Sequence, residues 1–242
     1  MRIDIITIFP DMVRSALNES IMRRALGLGL AEVNVIDLRD YSLSKHKKVD
    51  DTPYGGGAGM LLQFPPLYEA LKALKQPYSK VVITSPRGMT FNQKMAESFS
   101  TLEHIIILAG HYEGFDERIY DYVDYEVSVG DYVLTGGELP ALLMTDAIVR
   151  LLDDVIKKES HENDSFSNGL LEHPHYTKPA TYEGHEVPEV LRNGHHQEIS
   201  KWRHYEALKQ TYMKRRDLLD VYPLTEEDQA MIKQIEEELK LK

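Results

Sequence analysis

The chain has 242 residues, 42% of them hydrophobic and 28% charged, the make-up of a globular protein long enough to bury one large core or two modest ones. It has no cysteine, which excludes disulfides, thiolate catalysis and cysteine-ligated zinc. Its net charge of −11, taken alone, argues against a polyanionic partner, because phosphate contacts need Lys and Arg.

The distribution of charge reopens that question. Lys201, Arg203, Lys209, Lys214, Arg215 and Arg216 fall within a short stretch holding a single acid, Glu206, and Lys45-His46-Lys47-Lys48 form a second basic group. The acids collect elsewhere, for instance at Glu226-Glu227-Asp228 and Glu236-Glu237-Glu238. A local basic face on an acidic protein still directs a polyanion to itself. No run approaches the roughly 18 apolar residues of a membrane span. The N-terminus lacks a signal-peptide layout. The expectation is a cytoplasmic protein with no membrane partner.

Taken in order, Ile3 to Phe9 reads as a strand, and Asp11 to Leu28 has helical spacing with Asp11 as its N-cap. Val33 to Leu38 is the next strand. The following YSLSKHKKVDDTPYGGGAGM is aperiodic and holds Gly55, Gly56, Gly57 and Gly59. It reads as a flexible linker or as a backbone cradle for a phosphate or base edge, but not as a Walker loop, since no Gly-Lys-Ser/Thr follows. Pro65 to Leu74 is a helix and Lys80 to Thr84 a strand running into Ser85-Pro86-Arg87-Gly88. Thr90 and Gln93 form a capping box for a helix to about Phe99.

Ile105 to Leu108 is an apolar run that stops at Ala109-Gly110, as a buried strand does when it delivers a ligand-binding turn. A short helix follows over Asp116 to Tyr122, then a strand over Tyr125 to Val129 ending at Gly130. Gly136-Gly137-Glu138-Leu139-Pro140 opens a helix to about Val155; glycine allows close approach and proline suits the first helical turn. Alternating strands and helices predict an α/β fold with a parallel sheet covered on both faces. Its ligand then lies beyond the carboxyl ends of the strands. The polar segment Lys157 to Asn168 reads as a linker. Beyond it, a short helix between Pro188 and Gly194, a longer one from His195 to about Tyr212, and a last one capped by Thr225 predict an all-helical second domain.

Together, PYGGGAGM at 53–60, SPRG at 85–88, GHYEGFDER through SVGDYVLTGGELP, NDSF at 163–166 and LLEHPHYTKP at 170–179 closely resemble the bacterial tRNA (guanine-37-N1)-methyltransferase family, of the SPOUT class. The resemblance runs nearly end to end. It implies transfer of a methyl group from S-adenosylmethionine to N1 of guanine 37, beside the anticodon. It also implies a parallel sheet with a deep trefoil knot, which sequence physics would not propose because knots are almost absent from proteins. The domains implied are 1–158 for the cofactor, 159–169 as linker and 170–242 for the tRNA anticodon stem-loop. The family's homodimer implies an active site shared between chains.

The cofactor pocket implied by resemblance uses Thr84, Ser85, Pro86, Gly110, Tyr112, Val129, Gly130, Tyr132, Leu134, Gly136, Gly137 and Pro140. Asp164, in NDSF, matches the family's catalytic aspartate, the base that takes the N1 proton. Arg150 matches the arginine that faces O6. Their spacing is one residue shorter than in other members, which falls in the linker. Glu113 is a candidate to orient the base or balance the sulfonium. Asp50 matches a nucleotide-contacting residue, and Gly55, Gly56 and Gly57 lie against the target nucleotide. Lys201, Arg203, Arg215 and Arg216 are candidate tRNA contacts. His111 stands where other members carry arginine and receives no catalytic role.

Each assignment has a plainer reading: a turn-capping Asp164, a solvated Arg150, a loop acid at Glu113. Rival functions are a metal-dependent hydrolase using His173, His175, His195 and His196, a SPOUT methyltransferase acting on another RNA position, and a non-catalytic RNA-binding module using Trp202, Tyr205 and Tyr212. No H-E-x-x-H signature supports the hydrolase, and no metal site is expected. A Mg²⁺ requirement is not readable from the residues.

Overall fold

The computed structural model describes residues 1–156 and 164–240. Residues 157–163, which open the expected linker and carry the first residue of NDSF, lie outside the described residues. The chain divides into two compact units, Met1–Lys158 and Glu159–Lys242.

The first unit is built on strands β1 (Arg2–Thr7), β2 (Glu32–Asp37), β5 (Ser79–Thr90), β6 (His104–Leu108) and β7 (Tyr125–Ser128), in the order β2-β1-β6-β5-β7. Every pairing in this sheet is parallel. The side-chain period of a strand splits the β6 run between two cores. Ile105 and Ile107 join Ile3, Ile5, Val82 and Val127 on one face; Ile106 and Leu108 join Val81 and Ile83 on the other. Helices α1 (Pro10–Leu17), α2 (Ser20–Gly27), α4 (Gln93–Ser100) and α5 (Glu138–Val149) cover the first face through Val13, Met22, Phe99 and Met144. Helix α3 (Phe64–Leu74) covers the second through Leu67, Ala70 and Leu71. A sheet buried on both sides explains why its strands read as unbroken apolar runs.

At the amino ends of the strands a buried polar cluster replaces apolar contact. Asp4 accepts from Nε and Nη2 of Arg2 at 2.9 and 2.7 Å and from Asn34 at 2.9 Å. His104 Nε2 lies 3.1 Å from Asp4, and its Nδ1 lies 2.6 Å from Ser79 Oγ. The three residue types of a hydrolytic triad meet here, yet Asp4, His104 and Ser79 are buried and hydrogen-bonded, Ser79 Oγ also accepting from Gln76 N at 2.8 Å. It is a satisfied core network.

Several local expectations are corrected. The expected helix over Asp11 to Leu28 is two helices, broken at Asn18, whose side chain donates back to Arg14 O at 3.2 Å. Its N-cap is Phe9, with Pro10 opening the helix and Asp11 in the first turn. Helix α4 is capped by Asn92, which accepts from Met95 N at 3.0 Å, so the Thr90/Gln93 box does not form; Thr90 ends β5 instead. Residues Glu117–Tyr122 form a 3-10 turn capped by Asp116.

Small antiparallel ladders lie outside the sheet. Strands β3 (Asp50–Asp51) and β4 (Leu61–Leu62) pair across the glycine-rich loop. In the second unit, β8 (Thr181–Tyr182) pairs with β9 (His185–Glu186), so the expectation of an all-helical domain is corrected. Its tight turn uses Glu183 and Gly184 at positive φ, a hairpin signal that the charged sequence around it conceals. Among the described residues the unit otherwise consists of helices α6 (His196–Lys214), α7 (Arg216–Leu219) and α8 (Glu226–Lys240), a 3-10 turn at Glu189–Leu191, and connecting turns. Leu170, Leu208 and Ile235 are at its core.

Candidate active site

The carboxyl ends of β5, β6 and β7 open onto a cleft of about 570 Å³. Each wall follows from local sequence. Strand β5 loses register with β7 between Thr84 and Met89, so Ser85-Pro86-Arg87-Gly88 swings out of the sheet. Gly88 lies against the β7 backbone, where a Cβ would come 2.4 Å from Val127 N. After β6, Gly110 sits over the Phe115 ring, and a Cβ there would come 2.5 Å from it. After β7, Ser128 Oγ donates to Gly130 O at 3.1 Å and accepts from Gly130 N at 3.2 Å.

The chain then returns across β6. His111 and Gly136 form an antiparallel bridge, and Gly137 N donates to Gly110 O at 2.6 Å. Thr84 ties the third wall in, donating to Leu108 O at 3.1 Å and accepting from Gly110 N at 3.3 Å. Small residues are needed because backbones meet backbones: a Cβ on Gly137 would come 2.1 Å from Thr84 Oγ1 and 2.6 Å from Gly110 N.

Every cofactor candidate, from Thr84 through Pro140, lines this cleft, and so does Glu113. Glu113 also joins the cleft to the glycine-rich loop. Its amide donates to Met60 O at 3.0 Å, Leu62 N donates to Gly114 O at 2.9 Å, and its side chain packs on Gly59. Gly55, Gly56 and Gly57 hold φ of +86°, +79° and +128° and are exposed, a path that side-chain-bearing residues rarely follow. Asp50 is half-buried and paired with Leu62 across the base of that loop.

Residues that sequence reasoning left out also line the cleft, among them Arg87, His111, Glu117 and Tyr120. Arg87 stacks over the Tyr120 ring at 4.7 Å and pairs with Glu126 at 3.2 Å and Glu117 at 3.5 Å. The hydrogen bond that Arg87 donates to Glu126 raises its guanidinium pKa, and burial pushes the Tyr120 phenol up. Arg87 was legible as the one charge in SPRG; Tyr120 and Glu117 carry no sequence signal, since only the 3-10 turn brings them here. Glu138, expected only as part of a helix opening, is 1% exposed and accepts from Thr7 Oγ1 at 2.8 Å.

Arg150 ends α5 and is half-buried. Asp164 belongs to the second unit, half-buried in a turn where its carbonyl accepts from Ser167 N at 3.2 Å. The tRNA candidates lie on α6, on α7 and, for Arg215, at the cap between them, and are largely paired with acids. Lys201 faces Glu227 at 3.4 Å, Arg215 grips Asp217 at 2.6 Å, and Arg216 lies 3.8 Å from Glu236 and over the Tyr212 ring at 4.4 Å. Among the described residues Arg203 forms no ion pair. No group of three or more His, Cys, Asp or Glu is placed to hold a metal ion, and no helix is long and apolar enough to cross a membrane, among the described residues. His173 and His175 lie ring to ring at 4.4 Å beside Trp202.

The model of the tRNA (Guanine-1)-methyltransferase family matches residues 1–221. A tRNA (guanine-N(1)-)-methyltransferase of Staphylococcus carnosus is 49% identical over 245 residues, covering 100% of both chains. The enzymes of the same name from Macrococcus caseolyticus and Clostridium botulinum are 51% and 50% identical, covering 97% and 99% of this chain and 98% and 100% of their own. With this match and the cleft at the strand ends, the chain belongs to the tRNA (guanine-1)-methyltransferase family.

Proposed function

We propose that this chain transfers a methyl group from S-adenosylmethionine to N1 of guanine 37 in tRNA. The observation that carries the reading is the cleft itself, lined by Gly110 and Gly130 after two parallel strands and by Gly137, whose amide bonds to the Gly110 carbonyl, in a chain of this family. The cleft fits the donor. Its volume of about 570 Å³ is within the range of small-molecule sites. Gly110 and Gly137 let its walls close tightly, since a Cβ on the first would run into Phe115 and on the second into Thr84 and the Gly110 backbone. When bound, S-adenosylmethionine supplies an electrophilic methyl on a sulfonium.

The remaining task is to make N1 of guanine nucleophilic. Asp164 takes the N1 proton, a general-base role worth about 10²–10⁴-fold. Arg150 balances the charge that gathers on O6. Glu113 orients the base from the cleft wall. Asp50 and Gly55 to Gly57 contact the target nucleotide, a role supported by the stitching of their loop to Glu113.

The first unit serves the cofactor and the second, through Lys201, Arg203, Arg215 and Arg216, the anticodon stem-loop. Acid partners leave Lys201, Arg215 and Arg216 pre-positioned, and phosphate takes the place of those acids. A SPOUT-type knot is supported by the return of the chain from β7 across Gly110 before α5 begins. A homodimer with a shared site is supported by Phe9, Met12, Leu139 and Leu143, apolar side chains left exposed on α5 and around α1. A cytoplasmic location follows from the tRNA substrate. Calorimetry with S-adenosylhomocysteine tests the reading: binding competitive with the methyl donor is expected, and no heat of binding would overturn it.

A further inference from the structure

One pair at the cleft has no part in the scheme above. Glu138 is buried at the first position of α5, where the positive end of the helix dipole favours an acid. One carboxyl oxygen accepts from Thr7 Oγ1, which itself accepts from Phe9 N at 2.9 Å. The other lies 3.6 Å from His111 Nδ1. That nitrogen is buried and without a hydrogen-bond partner, so the 21% of the His111 side chain that is exposed belongs to the rest of the ring. The ring stands in the cleft wall.

Nothing separates the pair from the wall's backbone. His111 bridges to Gly136, and a Cβ on Gly136 would come 2.3 Å from Glu138 Oε2 and 2.4 Å from His111 Nδ1. Phe9 meets the His111 ring edge-on at 4.7 Å and Tyr112 does so at 5.0 Å, so the ring is clamped in its plane.

We propose that Glu138 is a positioning residue acting through His111. At 3.6 Å from Nδ1, beyond hydrogen-bond length, its carboxylate favours the hydrogen on Nδ1 through its charge, so that Nε2 is left as a hydrogen-bond acceptor for the cleft. A buried acid behind an imidazole selects the tautomer in this way. The ligand group it takes is an N–H or O–H donor, of which the methyl donor's hydroxyls and ammonium and the guanine amine are the available chemistry. The assignment rests on the methyl-transfer reading for its kinetic effect, while its tautomer is a property of the free protein.

The test separates the two. Glu138→Gln keeps shape and the bond to Thr7 but turns an N–H donor toward Nδ1, forcing the hydrogen to Nε2. In ¹⁵N-histidine spectra of the full chain, with the His111 signals identified by their loss in His111→Ala, the native protein is expected to show Nδ1–H and Glu138→Gln to show Nε2–H. With tRNA, kcat/KM is expected to fall about tenfold in Glu138→Gln, the scale of one lost hydrogen bond, and to fall no further when Glu138→Gln is added to His111→Ala. An unchanged tautomer in Glu138→Gln, or losses that multiply in the double variant, would overturn the assignment. A native protein that transfers no methyl while showing the tautomer switch would overturn the methyl-transfer reading alone.

Discussion

Gly137 donates its amide hydrogen to the carbonyl of Gly110 at 2.6 Å, and this one bond pins the mouth of α5 to the end of β6. A side chain has no room there: the nearest neighbours of an added Cβ are Thr84 Oγ1 at 2.1 Å and the backbone of Gly110 and Ala109 at 2.6 and 3.0 Å.

Gly137→Ala therefore forces the return strand away from β6. Overpacking of this kind costs about 1–3 kcal/mol, and the displaced wall belongs to the cleft. The expected outcome is a lower melting temperature together with loss of S-adenosylhomocysteine binding by calorimetry. Native affinity in the variant would show that the close approach is not needed.

Much of this arrangement was legible in advance, for a physical reason. Strands buried on both faces must be apolar throughout, so Ile105 to Leu108 announced itself, and close backbone crossings demand glycine, so Gly110, Gly136 and Gly137 did too. What escaped was decided by geometry that sequence does not encode locally. The helix expected from Asp11 breaks because Pro10 sets its start and Asn18 bonds back to Arg14. Thr90 lost its cap role because β5 runs on past its bulge. The β8–β9 ladder is two residues a side, too short for alternation to show. Tyr120 at the cleft and Glu138 buried behind His111 were invisible, since only the fold carries them there.

Asp164 and the cleft are best tested together. Asp164→Asn keeps the shape but takes no proton, so turnover is expected to fall about 10²-fold or more while cofactor binding survives. Gly137→Trp blocks the cleft in the other parent. Refolding the two inactive proteins together restores activity if each site draws its aspartate from one chain and its cleft from the other, because a heterodimer then has one site free of both lesions. Proven heterodimers without activity would rule out the shared site.

Arg215 and Arg216 sit against Asp217 and Glu236, pairs that tRNA phosphates must displace. Replacing both arginines by Ala is expected to weaken tRNA binding and to flatten its log–log salt dependence by up to about one unit per lost contact. An unchanged slope in filter-binding titrations would mean that these arginines only buttress their helices.

Thr225 and Asp228 cap α8 reciprocally: Asp228 N donates to Thr225 Oγ1 at 3.1 Å, and Thr225 N donates to Asp228 Oδ2 at 2.9 Å. Burial pulls the Asp228 carboxyl up, but the hydrogen bonds from His204 and Thr225 outweigh it and hold it below its ordinary 3.8. A depressed folded pKa gives stability that is present above the unfolded value and lost as pH falls through the folded one. Asp228→Asn is expected to cost about 1 kcal/mol at neutral pH, with the gap to the native protein closing below about pH 4. Trp202, the chain's single tryptophan, lies on α6 and gives a fluorescence signal from this unit. A gap independent of pH would sever the cap from the charge.

The central claim is the identity of the methylated atom. An unmodified tRNA carrying guanine 37 is incubated with the protein and methyl-labelled S-adenosylmethionine, digested, and the labelled nucleoside mapped. The account predicts label in 1-methylguanosine at position 37 alone, absent when guanine 37 is replaced. Label on a ribose, on another base or at another position, or no label from a protein that binds the cofactor, would contradict it.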